Sequence, residues 1–236
     1  GAAGAREGRF NQDGIDVQPV ALSRAEVEAY YHGMSNRTLW PLYHDAIRSP
    51  EFRREWWRSY VEVNQRFADT VAETAREGDL VWVQDYHLQL VPQLLRERRS
   101  DLRIGFFLHI PFPPEELFEW LPWREEVLRG LLGADVVGFQ TNAAVRNFAQ
   151  LCRRHGLAAG RAEALQHDDR TIVARAFPIS IDFDWFDAQA RRPETLARAQ
   201  EIRSLVGPGR RILLAVDRLD YTKGIDQRAI SSGEML

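Results

Sequence analysis

Arg218 and Lys223 stand five residues apart in the stretch Val216-Asp217-Arg218-Leu219-Asp220-Tyr221-Thr222-Lys223-Gly224-Ile225. The apolar run from Arg211 to Val216 reads as a buried strand, so both cations fall on the loop that leaves it. Open α/β sheets bind ligands beyond the carboxyl ends of their strands. Two fixed cations there suit a diphosphate, whose charge must be neutralised when a bond to it breaks. The plain alternative is a pair of solvated loop cations, and for an isolated Arg and Lys that alternative leads.

A second group lies upstream. Asp85 ends the mostly apolar strand Leu80 to Gln84, which reads as a buried parallel strand. His109 ends the next strand, Arg103 to Ile110, just before the rigid turn Pro111-Phe112-Pro113. A carboxylate and an imidazole at adjacent strand ends can face one cleft, where the carboxylate accepts hydrogen bonds from sugar hydroxyls. Asp85 serves equally well as the cap of the following helix. A lone strand histidine is more often a core residue, but the strand end and the proline turn favour a site. Tyr31 and Trp40 lie nine residues apart around Ser35-Asn36. They can bind and stack on a sugar phosphate, although spacing alone prefers core packing. His87 reads as structural or supporting.

With these residues in view, a family resemblance enters. VDRLDYTKGI resembles the donor-phosphate loop of the trehalose-6-phosphate synthase family, retaining glycosyltransferases of family 20. Three more stretches resemble that family in the same order: YHGMSNRTLWP from Tyr31, VWVQDYHL from Val81 and GFFLHIPFP from Gly105. The resemblance runs from about Val17 to about Arg228. It implies the two-domain GT-B form of the α/β class: a Rossmann-like N-terminal domain with a parallel sheet, and the start of a second such domain. The expected divisions are a loose tail over 1–16, an acceptor-side domain over 17–177, and over 178–236 a linker opening the donor domain.

The implied reaction moves glucose from UDP-glucose or GDP-glucose to glucose 6-phosphate with retention. By resemblance, Arg218 and Lys223 hold the donor diphosphate and His109 the donor sugar, while Asp85, Tyr31 and Trp40 hold the acceptor. Asp85, His109, Arg218 and Lys223 form the implied catalytic set, and no cofactor is implied. Asp182-Phe183-Asp184 has the D-x-D form of metal-dependent transferases, but it falls in the linker. Arg218 and Lys223 supply the charge a Mg²⁺ ion would, so no metal is expected. A homo-oligomer of the full-length protein is compatible with the resemblance. The family's first strand, its glycine-rich loop and an arginine for the acceptor phosphate have no match before Val17. Much of the second domain is also unmatched, so the chain reads as truncated at both ends and inactive alone. Two alternatives share the motifs: a pseudo-glycosyltransferase joining cyclitol units, and a non-catalytic paralogue that binds sugar phosphate or a partner synthase.

Composition sets wider bounds. The 236 residues carry a net charge of −3, with 44% hydrophobic and 28% charged residues. That balance is ordinary for a globular protein and speaks against bulk attraction to nucleic acid or membrane. No apolar run is long enough to cross a bilayer, and no signal peptide is expected before Val17. The single cysteine, Cys152, excludes an internal disulfide, suits a reducing, cytoplasmic compartment, and reads as a small buried hydrophobe.

The elements follow from period and punctuation. Val17 to Leu22 is a strand candidate, and Ser23 with Glu26 has capping-box spacing. From Phe52 to Val71, apolar residues recur every three or four positions, the face of one long helix. Helices are expected at His87 to Arg99, Glu115 to Leu121 and Arg124 to Leu132, and from Thr141 to near Gly156. Ala134 to Phe139 is a strand, and Glu163 to Gln166 with Thr171 to Ala176 suggests a β-pair. Helices over Pro193 to Val206 and Asp226 to Leu236 complete the reading. Strands alternating with helices argue for βαβ units.

Overall fold

The structure, a computed structural model, describes residues 8–207 and 209–234. It divides into two compact units, the first ending at Pro178 and the second starting at Ile179.

In the first unit, β1 (Phe10–Gln12) and β2 (Ile15–Val17) form an antiparallel hairpin inside the segment expected as a loose tail. Residues 1–7 of that tail lie outside the described residues. The candidate strand after Val17 does not form: β2 ends there, and Pro19 has no N–H to donate to a ladder. Ser23 and Glu26 make the expected reciprocal cap for α1 (Arg24–Glu26). This helix continues without a break into a π-helix, Val27–Leu39, and then α2 (Trp40–Tyr43). The long helix α3 (Arg54–Thr74) buries Trp56, Tyr60 and Val63 along one face, as its period dictates.

The βα alternation then begins: β3 (Leu80–Gln84), a 3₁₀ turn (Tyr86–Leu88), α4 (Val91–Arg96) and β4 (Arg103–Phe107). It continues through α5 (Glu115–Phe118), α6 (Arg124–Leu132), β5 (Val136–Phe139) and α7 (Asn142–Arg154). The helix expected from His87 is split into the turn and α4, because Pro92 fits the first turn of a new helix but not the interior of a continuous one. The unit closes with β6 (Ala159–Arg161), β7 (Ala164–His167) and β8 (Arg170–Ala176). One sheet runs β3-β4-β5-β8-β7-β6. Its first four strands are parallel and its last three antiparallel.

β3 is an edge strand, not one buried on both faces. Val83 joins the core, whereas Leu80 and Trp82 are 67% and 66% exposed. The two-residue period sends Val81 and Val83 toward the core and leaves the alternate pair outside. Two glycines hold this layer close. A Cβ on Gly133 would lie 2.2 Å from the Gln93 nitrogen, and one on Gly130 2.4 Å from the Gln89 oxygen. α6 therefore packs directly on the backbone that starts α4.

In the second unit, Asp182 caps α8 (Phe183–Ala190), a helix inside the expected linker region. α9 (Pro193–Val206) follows as expected, and α10 (Ile225–Glu234) starts one residue early. The end of the helix expected to reach Leu236 lies outside the described residues. Residues 211–216 form no strand. A parallel strand exists only within a ladder, and no described strand of this unit pairs with them. Leu214 stays 86% exposed as a result.

Gly133→Ala is expected to destabilise the chain by about 1–3 kcal/mol or more, because its methyl would collide with backbone that cannot rotate away. Gly105→Ala, whose Cβ would meet Trp82 at an ordinary 3.8 Å, should change stability by less than about 1 kcal/mol. Urea unfolding of the two variants checks the contrast.

Candidate active site

The parallel register of β3 and β4 sets Gln84 opposite Phe107. One residue further, the Asp85 N–H donates to the Phe107 carbonyl at 2.8 Å. Asp85 has φ 70° and ψ 170°. That region belongs almost entirely to glycine and costs a side-chain residue on the order of 1–3 kcal/mol. The carboxylate does not cap the following turn. It reaches across to the next strand end, where its Oδ1 accepts the His109 N–H at 3.2 Å. The structure thus brings Asp85 and His109 together and settles the question of a cap. The His109 ring is exposed, lies 2.7 Å by Nε2 from the Gln84 Oε1, and meets Phe107 edge-on at 4.8 Å.

Tyr31 and Trp40 ride on the helical run 24–43. At about 3.6 residues per turn, nine residues would send them to opposite faces of an α-helix. The wider i→i+5 turns between them take up the difference. Tyr31, 44% exposed, stacks on His87 at 5.5 Å and 10°. Trp40 lies 5.7 Å from Tyr86. Both aromatic residues therefore meet the turn that directly follows Asp85. The Tyr86 hydroxyl donates to Asn36 Oδ1 at 3.1 Å, a further tie between the two segments. Gly33 allows this helix to approach α3, since a Cβ there would stand 2.6 Å from the Trp56 ring.

α3 secures the same turn from below. The Tyr60 hydroxyl donates to the Tyr86 carbonyl at 2.7 Å. Asn64 donates to the His87 carbonyl at 3.0 Å and accepts the Leu90 N–H at 3.1 Å. The backbone groups freed between strand and helix thus find buried partners. The His87 Nε2 atom is buried with no hydrogen-bond partner among the described residues. Burial lowers the His87 pKa, with the Asp85 charge opposing the shift. Beside His109, a cavity of about 310 Å³ is lined by Asp45, Pro111, Phe112, Gln140, Thr141 and Asn147, among others.

Sequence reasoning passed over Gln84 and Asn36. The position of Gln84 at the last residue of a strand, next to Asp85, was the signal available for the first. Asn36 carried none beyond its place between the two aromatics.

Arg218 and Lys223 lie in the second unit, and both are exposed. A 3₁₀ turn (Tyr221–Lys223) carries the lysine. Asp220 Oδ1 caps that turn, accepting from the Thr222 N–H at 2.9 Å and hydroxyl at 2.7 Å. Gly224 ends it at φ 59°, where a glycine is unstrained. Asp182 is occupied as a cap, taking the Trp185 N–H at 2.9 Å. Cys152 is wholly buried, and burial pushes its thiol pKa up, which suits a packing role.

Residues 5–236 match the family model described as Glycosyltransferase family 20. A trehalose-6-phosphate synthase of Mycolicibacterium gilvum is 54% identical over 236 residues, covering 96% of this chain and 47% of the relative. One from Mycolicibacterium smegmatis is 52% identical over 245 residues, covering 100% of this chain and 49% of the relative. Among solved structures, an alpha,alpha-trehalose-phosphate synthase (UDP-forming) from Burkholderia vietnamiensis aligns with a TM-score of 0.85 at 32% identity. That match covers 97% of this chain and 52% of the other. An E. coli structure described as bound with UDP-2-fluoro glucose gives 0.83 at 30% identity, covering 94% and 49%. The chain spans about half the length of the curated relatives it matches.

Two stability measurements check this geometry. Asp85→Gly is expected to be more stable than Asp85→Ala by about 1–3 kcal/mol, because alanine keeps the strained backbone after both have lost the carboxylate. For His87, the unfolded ring titrates near its ordinary value of about 6.5. Below that pH the unfolded chain gains a proton that the buried ring resists, so stability falls as pH drops toward the lowered folded value. The slope is at most about 1.4 kcal/mol per pH unit. His87→Phe, which keeps the ring stack, is expected to lessen that loss in urea titrations between pH 7 and pH 5.

Proposed function

The chain belongs to glycosyltransferase family 20, and on that premise we propose that it is part of a retaining transferase making trehalose 6-phosphate. It moves glucose from UDP-glucose to glucose 6-phosphate. The UDP donor is taken from the solved relatives, one named as UDP-forming and one bound with a UDP sugar.

The observation that carries this reading is Asp85, held in a glycine-type conformation at a strand end and joined there to His109. A strained residue persists where its surroundings over-determine it, and such residues cluster at active sites and ligand clamps. Asp85, with Tyr31 and Trp40 against the same turn, holds the acceptor sugar phosphate. His109 holds the donor sugar. Arg218 and Lys223 neutralise the diphosphate as it leaves.

The acceptor hydroxyl oxygen forms the new bond to the anomeric carbon as the bond from that carbon to the phosphate oxygen breaks. The bonding electrons leave with the diphosphate. In front-face attack, a donor phosphate oxygen takes the hydroxyl proton, so retention needs no carboxylate on the opposite face. Within this chain, acceptor affinity is assigned to Asp85, Tyr31 and Trp40.

Calorimetry of this chain with glucose 6-phosphate tests the acceptor half. Asp85→Ala should weaken binding about 10-fold or more, the value of one hydrogen bond to a charged group. An equal affinity in both proteins would remove Asp85 from the acceptor site. Turnover needs the longer protein: this chain alone should give no trehalose 6-phosphate from UDP-glucose and glucose 6-phosphate. In a full-length synthase carrying this segment, Arg218→Ala and Lys223→Ala should each lower kcat about 100-fold with little change in unfolding midpoint. Near-normal turnover in both would return them to the role of solvated loop cations.

A further inference from the structure

Successive residues of a strand point to opposite faces, so Gln84 and Asp85 would ordinarily serve different sides of the sheet. Here both reach His109. The Asp85 carboxylate takes its backbone N–H at 3.2 Å, and the Gln84 side-chain oxygen lies 2.7 Å from its ring Nε2. The positive φ of Asp85 makes this double grip possible by turning the chain at the strand end. The third restraint is the Phe107 ring, edge-on at 4.8 Å.

An amide oxygen can only accept, so the ring nitrogen facing it must donate. In the neutral imidazole, a proton fixed on Nε2 leaves Nδ1 unprotonated and able to accept. A sugar hydroxyl is the complementary donor. Left to itself, an exposed histidine turns freely and exchanges between two tautomers, and it would present an acceptor at Nδ1 only part of the time.

We propose that Gln84 is a positioning residue, which holds the His109 ring by Nε2–H and thereby presents Nδ1 as the acceptor for a hydroxyl of the donor sugar. The sugar contact rests on the glycosyl-transfer reading above; the hold on the ring does not. Gln84 itself touches no substrate and acts through His109.

Imidazole ¹⁵N NMR of this chain tests the hold without any ligand. The wild-type spectrum should show the neutral His109 ring protonated on Nε2. Gln84→Leu should move the two ring-nitrogen shifts toward each other as tautomers and rotamers average. Gln84→Glu keeps size and acceptor, so the proton should stay on Nε2, with the ring-nitrogen shifts moved by the stronger charge-assisted hydrogen bond. The fixed carboxylates nearby, Asp85 on the His109 N–H and Asp45 in the adjoining cavity, are common to all three proteins. If Gln84→Leu fails to fold, the near-isosteric Gln84→Glu still decides the matter. A wild-type ring protonated on Nδ1, or identical ring shifts in the wild type and the Gln84→Glu variant, would overturn the proposal. UDP-glucose is then added to a full-length synthase carrying this segment, as wild type and as the two variants. Loss of tautomer control in Gln84→Leu, with no His109 response to UDP-glucose in the wild type, would leave the positioning role standing and remove the sugar contact.

Discussion

The hydrogen bond from the Asp85 N–H to the Phe107 carbonyl, 2.8 Å long, governs the geometry of the first unit's site. It extends the parallel ladder of β3 and β4 one residue past the strand. The chain must then turn at once toward the helical layer. Asp85 absorbs that turn at φ 70°, and so its carboxylate arrives over the end of β4 rather than over the turn that follows. His109, Tyr86 and His87 are all placed by this one departure from regular strand geometry. The strain is local, of the order of 1–3 kcal/mol, and must be offset by the surrounding structure.

That offset comes from the buried polar layer beneath. Tyr60, Asn64 and Gln89 are buried among apolar neighbours, yet each is hydrogen-bonded into the 86–90 segment. In a low-dielectric interior an unpaired polar group is costly, so these paired side chains favour one arrangement and penalise others. The aromatic rings above it extend the same restraint to the surface. Tyr31 stacks on His87 and Trp40 packs near Tyr86. The half-exposed surface around Tyr31 is thereby backed by a rigid floor, and side chains held in this way lose little further freedom on binding a ligand.

The second unit has a different physical character. Within the described residues, its α8 and α9 bury no side chain and the apolar stretch 211–216 has no ladder partner. The cation-bearing turn is nevertheless well formed, because its restraints are local: the Asp220 cap and the αL glycine at 224. A loop built from short-range hydrogen bonds can take its shape before its long-range neighbours are in place, whereas a parallel strand cannot. Leu80 and Trp82 on the edge of β3 obey the same rule, since a two-residue period leaves alternate residues exposed wherever only one face is covered.

Local patterns were sufficient for much of this. The capping box at Ser23, the bounds of α6 and α9, the four motif segments and the βα alternation all follow from contacts between residues close in sequence. Asp85 and His109 were legible as a pair because consecutive parallel strands joined by a helix usually lie side by side. Sequence did not show that residues 27–39 would wind as a π-helix, nor that Gly33 would meet Trp56 across two helices. The common footing of Tyr31 and Trp40 was therefore hidden behind an α-helical period that separates them. Gln84 stayed unread for a similar reason: its partner is 25 positions away, and strand alternation assigns it to the other face from Asp85. Residue types and short-range order set which chemistry the chain can offer. Which side chains share a surface was decided by tertiary packing, because the backbone turn at Asp85 and the widened helical turn before Trp40 bring together residues from distant parts of the chain.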